Sequence, residues 1–257
     1  MHLSINHLKK SFIGNAVLKD INLEIEQGEI IAILGRSGCG KSTLLRCING
    51  LEQIDSGEIH LHDTPITKPV SNYGHWVEVR KKIGMVFQSY DLFPHMNVLN
   101  NIILGPMKVE KRSKKEATEE AVKLLERVGL SEKKLAYPRE LSGGQKQRVA
   151  ICRALCMNPE IILFDEVTAA LDPEMVREVL DVIKALSDQG LTLIIVTHEM
   201  EFAEKVADRI VFMENGEIVE MNTPDQFFHS PQTAKARQFL NLPIEPVEQA
   251  ASVGNAI

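Results

Sequence analysis

The chain has 257 residues, 44% of them apolar and 25% charged, with a formal net charge of −6 and 4 cysteines. That length suits one large domain or two small ones, and the composition suits a soluble globular protein. The acidic balance gives no electrostatic support to a nucleic-acid partner, and no run approaches the roughly 18 apolar residues of a membrane span.

Residues 1–34 read as a strand-rich start, with turns expected at Ile13-Gly14-Asn15 and Gln27-Gly28. Met1–Asn6 alternates like a strand and lacks the apolar core of a signal peptide. The buried-looking strand Ile30–Leu34 then runs into Gly35-Arg36-Ser37-Gly38-Cys39-Gly40-Lys41-Ser42, and Thr43–Ile48 reads as a helix that Gly50 closes. Strand, glycine loop and helix start form the context in which Gly-x4-Gly-Lys-Ser binds phosphate. Backbone N–H groups and the helix N-terminus point at the anion, Lys41 adds a positive charge, and the Ser42 hydroxyl suits Mg²⁺. An ordinary glycine turn would produce this string in roughly one chain of this length per hundred, so nucleoside triphosphate binding is the stronger reading.

Gly57–Leu61 reads as a short strand. Thr64–Lys82, with Pro65, Pro69, Gly74 and the single tryptophan Trp76, reads as an irregular surface segment, and Ile83–Phe87 as an apolar strand ending at Gln88. Residues 89–156 turn helical. Ser113 and Glu116 form a capping box, and Ala121, Leu124, Leu125 and Val128 recur at helical spacing before Gly129. The basic cluster Lys108–Lys115 has acids beside it and reads as a solvated helix face; Cys152 and Cys156, one helical turn apart without further ligands, read as packing residues of a reduced, cytosolic protein.

From Pro159 strands and helices alternate again. Ile161–Phe164 is a buried strand that ends in Asp165-Glu166, and the next helix takes Asp172 as N-cap, Pro173 at its first position and Gly190 at its end. Thr192–Thr197 is a strand ending at His198, and Ile210–Glu220 a hairpin turned by Asn215-Gly216. The tail 243–257 lacks periodicity and is expected to be mobile. The fold class is therefore α/β with a helical insertion.

Two further strings carry chemistry. Adjacent carboxylates closing an apolar strand suit a nucleotide site, Asp165 to hold a metal and Glu166 as general base. A strand merely meeting solvent is the plainer reading, and the phosphate loop upstream outweighs it. Leu141-Ser142-Gly143-Gly144-Gln145 opens another helix, expected over Gln147–Cys156, behind two glycines; it reads either as a second anion site or as a serine-capped glycine turn.

That pentapeptide, taken with the rest, resembles the ATP-binding subunit of an ABC transporter, over about residues 3–240. Gly35, Arg36, Ser37, Gly38, Cys39, Gly40, Lys41, Ser42 and Thr43 stand where the family has Walker A, and Ser142, Gly143, Gly144 and Gln145 where it has the signature motif. Ile161–Glu166 matches Walker B, Ala170-Leu171-Asp172 the D-loop, Gln88 the metal-sensing Q-loop, His198 the γ-phosphate switch histidine and Phe12 the aromatic that stacks on adenine. The resemblance implies a P-loop NTPase (RecA-like) core with an inserted helical subdomain, about 89–156, and an N-terminal antiparallel β region, all within one ATP-binding domain at 1–242. It implies ATP and Mg²⁺, the ion resting on Ser42, Gln88 and Asp165, with Glu166, His198 and Gln88 serving hydrolysis.

It implies partners too: a second copy, head to tail, with each ATP between one Walker A and the partner's signature. Integral membrane permease subunits would meet Ser89–Asn101, and a solute-binding protein would act indirectly, all at the cytoplasmic face of a bacterial inner or plasma membrane. Leu45-Arg46-Cys47-Ile48-Asn49-Gly50-Leu51-Glu52 and the run from Gly84 through Met96 resemble the polar amino acid uptake subfamily. Lipoprotein-release and export systems share the core motifs and stay open, as does a soluble ABC-type ATPase of DNA repair or translation. The chain lacks that ATPase's long coiled coil or second cassette, and no Asn-Lys-x-Asp motif supports a GTPase. One departure stands out. Glu166-Val167-Thr168-Ala169-Ala170-Leu171-Asp172 replaces the family's Glu-Pro-Thr-Ser-Ala-Leu-Asp, which puts the stiffness of that loop in question.

Overall fold

The computed structural model describes residues 1–67 and 72–243. The chain opens with the hairpin β1 (Leu3–Phe12) and β2 (Asn15–Ile25), turned at Ile13-Gly14, then enters β3 (Ile30–Leu34), buried at every position. After α1 (Lys41–Ile48), β4 (Ser56–Leu61) returns antiparallel to β1 and takes the short β5 (Thr64–Pro65) at its edge. The result is a four-stranded antiparallel sheet in the order β2-β1-β4-β5.

The segment read as irregular differs. Its latter half is α2 (Tyr73–Lys82), capped by Asn72, whose side chain accepts from the His75 N–H. Trp76 is buried, not on the surface, and a Cβ at Gly50 would lie 2.0 Å from its ring carbons. Gly50, at φ +67°, thus supplies both a left-handed turn after α1 and the floor for the indole. Only Trp76 and Val79 of α2 are buried, so the helix carries almost no apolar periodicity to read. Pro69 falls outside the described residues.

β6 (Ile83–Val86) leads to the helical region: α3 (Val98–Val109), α4 (Lys114–Arg127) and α5 (Gly143–Leu155). These helices pack around their own cluster, in which Ile102, Leu124, Leu125, Val149, Cys152 and Cys156 are buried. The Ser113–Glu116 capping box forms, and both cysteines are core thiols. α5 starts four residues earlier than the expected Gln147, at the first glycine of the pair.

The second half supplies β7 (Ile161–Asp165), α6 (Pro173–Ser187), β8 (Thr192–Val196), α7 (Met200–Val206), the hairpin β9 (Arg209–Glu214) and β10 (Glu217–Asn222), and two short helices, α8 (Pro224–His229) and α9 (Ala234–Phe239). The core sheet has the order β10-β9-β3-β8-β7-β6, parallel from β9 to β6, with β10 antiparallel at its edge. β3, β7 and β8 are buried throughout, as strands of a parallel sheet covered on both faces must be. The turn of the β9–β10 hairpin fastens the two sheets together: the Gly216 N–H donates to the Cys39 carbonyl at 3.1 Å, and the Lys19 N–H to the Gly216 carbonyl at 3.0 Å. The tail expected to be mobile lies outside the described residues, Pro243 apart.

Candidate functional site

β3 delivers the chain into the loop 35–40 at the C-terminal edge of the sheet, where open α/β folds place ligands. Gly35, at φ +153°, sits where a Cβ would come within 2.2 Å of the Met213 carbonyl on β9, so a strand 178 residues downstream dictates the first glycine of the motif. The N–H groups of Ser37, Gly38 and Gly40 have no acceptor among the described residues. Those of the first turn of α1 are open by the geometry of any helix start. This is a ready anion cradle.

Lys41 opens α1 and is almost wholly buried. Its Nζ donates to the Gly35 and Arg36 carbonyls at 2.9 and 3.2 Å and lies 3.7 Å from Glu166 Oε1. The Ser42 hydroxyl donates to Asp165 Oδ1 at 2.6 Å. Burial pushes the Asp165 carboxyl above the usual carboxylate range, against the pull of the Ser42 hydrogen bond and Arg46. Ser42, Gln88 and Asp165 line one cleft of about 620 Å³ with Arg46, Phe87 and Tyr90. A hydroxyl, a carboxylate and an amide oxygen form a hard-oxygen donor set, which fits Mg²⁺.

Glu166 stands one residue past the end of β7 at φ +48°, its N–H donated to the Val196 carbonyl at 3.0 Å. That turn brings its Oε1 to 3.1 Å from His198 Nε2 as well as near Lys41. Lys41, Glu166 and His198 thus form one set of contacts and Ser42 and Asp165 another, and the two sets are joined along the backbone at Lys41-Ser42 and Asp165-Glu166. Val167, where the resemblance leads one to expect proline, is 4% exposed and packs into the cluster with Phe164, Val179 and Ile183. Apolar anchoring takes the place of proline's fixed φ at this corner.

The remaining expected residues lie apart. Ser142 caps α5 in a capping box with Gln145, accepting the Gln145 N–H at 3.3 Å and donating its own N–H to Gln145 Oε1 at 3.1 Å. Gly143 and Gly144 pack against Leu171 and Met175, and none of residues 142–145 lines the Ser42–Asp165 cleft. Asp172 is the N-cap residue of α6, but its exposed side chain makes no capping bond. Phe12 ends β1 at 39% exposure with the Lys10 ammonium 4.7 Å over its ring.

Sequence reading missed how these parts are joined. Arg153 on α5 donates to the Tyr90 and Asp91 carbonyls at 3.0 and 2.5 Å, and Gln147 Nε2 to the Phe87 carbonyl at 3.2 Å. The helix that Ser142 caps therefore grips the chain on both sides of Gln88. Arg46 was within reach of sequence reasoning, since it follows Ser42 at i+4 on one helix face.

Residues 18–169 match the ABC transporter family. The chain belongs to that family. Its ABC relatives include the "Arginine transport ATP-binding protein ArtM" of Bacillus subtilis (strain 168), 55% identical over 93% of this chain and 98% of that protein. Another is the "Glutamine transport ATP-binding protein GlnQ" of Geobacillus stearothermophilus, 55% identical over 88% of this chain and 92% of that protein. Among solved structures, the dimeric post-hydrolysis state of the ATP-binding cassette MJ0796, bound to ADP and Pi, superposes with a TM-score of 0.78. It is 33% identical and covers 86% of this chain and 98% of that one. The fold of this ABC chain is thus that of a P-loop NTPase cassette with an antiparallel N-terminal sheet. No helix among the described residues is long and apolar enough to cross a membrane.

Proposed function

We propose that this chain hydrolyses ATP to drive import of a polar amino acid, as the peripheral subunit of an ABC transporter at the cytoplasmic face of a bacterial inner or plasma membrane. The observation that carries the reading is the grouping of Lys41, Ser42, Asp165, Glu166 and His198 at the mouth of an anion cradle. Relatives that transport arginine and glutamine match at the same 55% identity, which supports the amino-acid class and leaves the choice within it to the permease and binding protein.

In this mechanism the loop 35–43 and the α1 N-terminus hold the phosphates, and Lys41 leaves the Gly35 and Arg36 carbonyls to meet them. Bound Mg²⁺ would neutralise phosphate charge between Ser42, Asp165 and Gln88. Glu166 orients the attacking water and takes its proton, and His198 donates to the γ-phosphate. Phe12 stacks on the adenine. Ser142, Gly143, Gly144 and Gln145 act across a head-to-tail dimer, because within one chain none of them lines the cleft, and the exposed Asp172 would serve that same dimer. Residues 1–242 then work as one ATP-binding domain, with the helical subdomain 89–156 moving as Gln88 responds to the nucleotide. The surface 89–101 passes that motion to the permease.

The test is ATPase activity of the complete complex, with permease and solute-binding protein, in liposomes. Stimulation by one or a few polar amino acids is the expected result. Stimulation by sugars, metals or lipoproteins, with none by any amino acid, overturns the import assignment.

A further inference from the structure

His2 at the entry to β1, His62 in the β4–β5 turn and Glu160 just before β7 meet at the N-terminal edge of the core sheet. Glu160 and Asp165 stand at opposite ends of β7, about 16 Å apart along the strand, so this cluster is separate from the nucleotide cleft. Glu160 Oε2 lies 2.8 Å from His62 Nε2 and 3.4 Å from His2 Nε2, and all three ligand atoms fall within 4.8 Å of one another.

The His2 ring is 3% exposed, and its buried Nε2 makes no well-aligned hydrogen bond, only the long 3.4 Å contact to Glu160 Oε2. A buried polar atom held only by so long a contact recovers little of its desolvation cost, and an ion between the two groups would recover more. The other ring nitrogen, Nδ1, is 3.0 Å from the Thr192 hydroxyl, the outer contact that fixes ring orientation in metal-bound histidines.

We propose that His2 Nε2, His62 Nε2 and a Glu160 carboxylate oxygen form a three-ligand site for a divalent transition-metal ion of the zinc class, with water as fourth ligand. Two imidazoles and one carboxylate are a donor set that selects such an ion over Mg²⁺. Ligand atoms around a tetrahedral ion with bonds of about 2.1 Å stand about 3.4 Å apart, the separation found between His2 and Glu160. His62, its side chain 49% exposed and its ring stacked 4.8 Å from that of His2, has room to turn its lone pair inward. Lys82 Nζ, 3.1 Å from Glu160 Oε1, engages the second carboxylate oxygen and leaves Oε2 for the ion. A bound ion would tie the antiparallel sheet to the core sheet at the edge away from the nucleotide.

The test uses the tag-free full-length chain, stripped with chelator and free of nucleotide. It is titrated with Zn²⁺ by calorimetry and with Co²⁺ by visible absorption. One equivalent per chain is expected, with the intense d–d bands of tetrahedral Co²⁺. His62→Ala and Glu160→Gln should each weaken binding by about 100-fold, near the upper end for disturbed metal shells. His7→Ala, which removes an exposed histidine elsewhere, should leave it unchanged. Circular dichroism verifies that the variants fold, and if Glu160→Gln does not, the half-exposed His62 variant decides alone. Absence of stoichiometric uptake at micromolar Zn²⁺, or affinity unchanged in the folded variants, overturns the proposal.

Discussion

Replacing Asn101 with alanine tests whether one buried amide shapes the surface proposed to meet a permease. Asn101 is fully buried on α3, where its Oδ1 accepts the Phe93 N–H at 2.7 Å. Its Nδ2 faces the carbonyls of Phe93, Met96 and Asn97 at 3.1, 3.1 and 3.0 Å. Two amide protons serve three carbonyls, so truncation removes three hydrogen bonds at most. At about 1 kcal/mol net each, the loss is about 3 kcal/mol. For a chain of this size that corresponds to a fall in Tm of roughly 6–12 °C.

Urea titration measures the loss, and amide exchange locates it, because the Phe93 N–H loses its acceptor and should lose protection with it. Asn101→Asp keeps that acceptor but removes both donors and buries a charge, so it should be no milder. In the reconstituted transporter, Asn101→Ala should leave basal ATPase activity of the isolated chain largely intact and reduce its stimulation by the permease. A loss below about 1 kcal/mol with the Phe93 amide still protected would refute the reasoning.

Four other outcomes follow from the geometry. Glu166→Gln should bind ATP, accumulate as a dimer and lose about 10²–10⁴-fold in turnover, so near-normal phosphate release would remove Glu166 from the role of base. Ser142→Arg should lose turnover and about 1 kcal/mol of helix capping, and mixing it with Glu166→Gln should restore part of the activity. A mixed pair has one intact composite site if the motif acts across the dimer and none if it acts within its own chain. Asp165→Asn should melt above the parent at pH 7, because a carboxyl raised by burial disfavours the folded state once ionised. That gap should narrow as the pH falls and the parent carboxyl takes up its proton. Gly50→Ala sets a Cβ 2.0 Å from Trp76 at a φ of +67° and should cost roughly 2–4 kcal/mol by chemical denaturation.

The parts of the fold legible in the sequence were those with a local cause. The Ser113–Glu116 capping box, the turns at Ile13-Gly14 and Asn215-Gly216, and the apolar runs of β3, β7 and β8 each need only neighbouring residues to be read. α2 escaped because a helix that buries two side chains has no stripe to find. The start of α5 is hidden in the sequence because glycines, poor helix formers by propensity, here follow a fully formed cap at Ser142. Within the site, motif spacing named Lys41, Ser42, Asp165, Glu166 and His198. It could not show that Lys41 rests on the carbonyls of its own loop, or that Arg153 holds the chain beside Gln88. The first depends on how the loop 35–40 folds back on α1, and the second on residues more than sixty positions apart that only the tertiary fold brings together.

Met213 presses against Gly35, and Gly216 holds Cys39 from below; both belong to a hairpin that leaves the ribosome long after the loop it shapes. A nascent chain halted before residue 209 would already contain every atom of the phosphate motif, together with both carboxylates, the histidine and the signature helix. It would lack β9, one of the two strands that flank β3, and the clasp beneath the loop. Nucleotide capture should therefore begin only late in synthesis, and C-terminal truncation into β9 should abolish it without touching a single residue proposed to contact ATP.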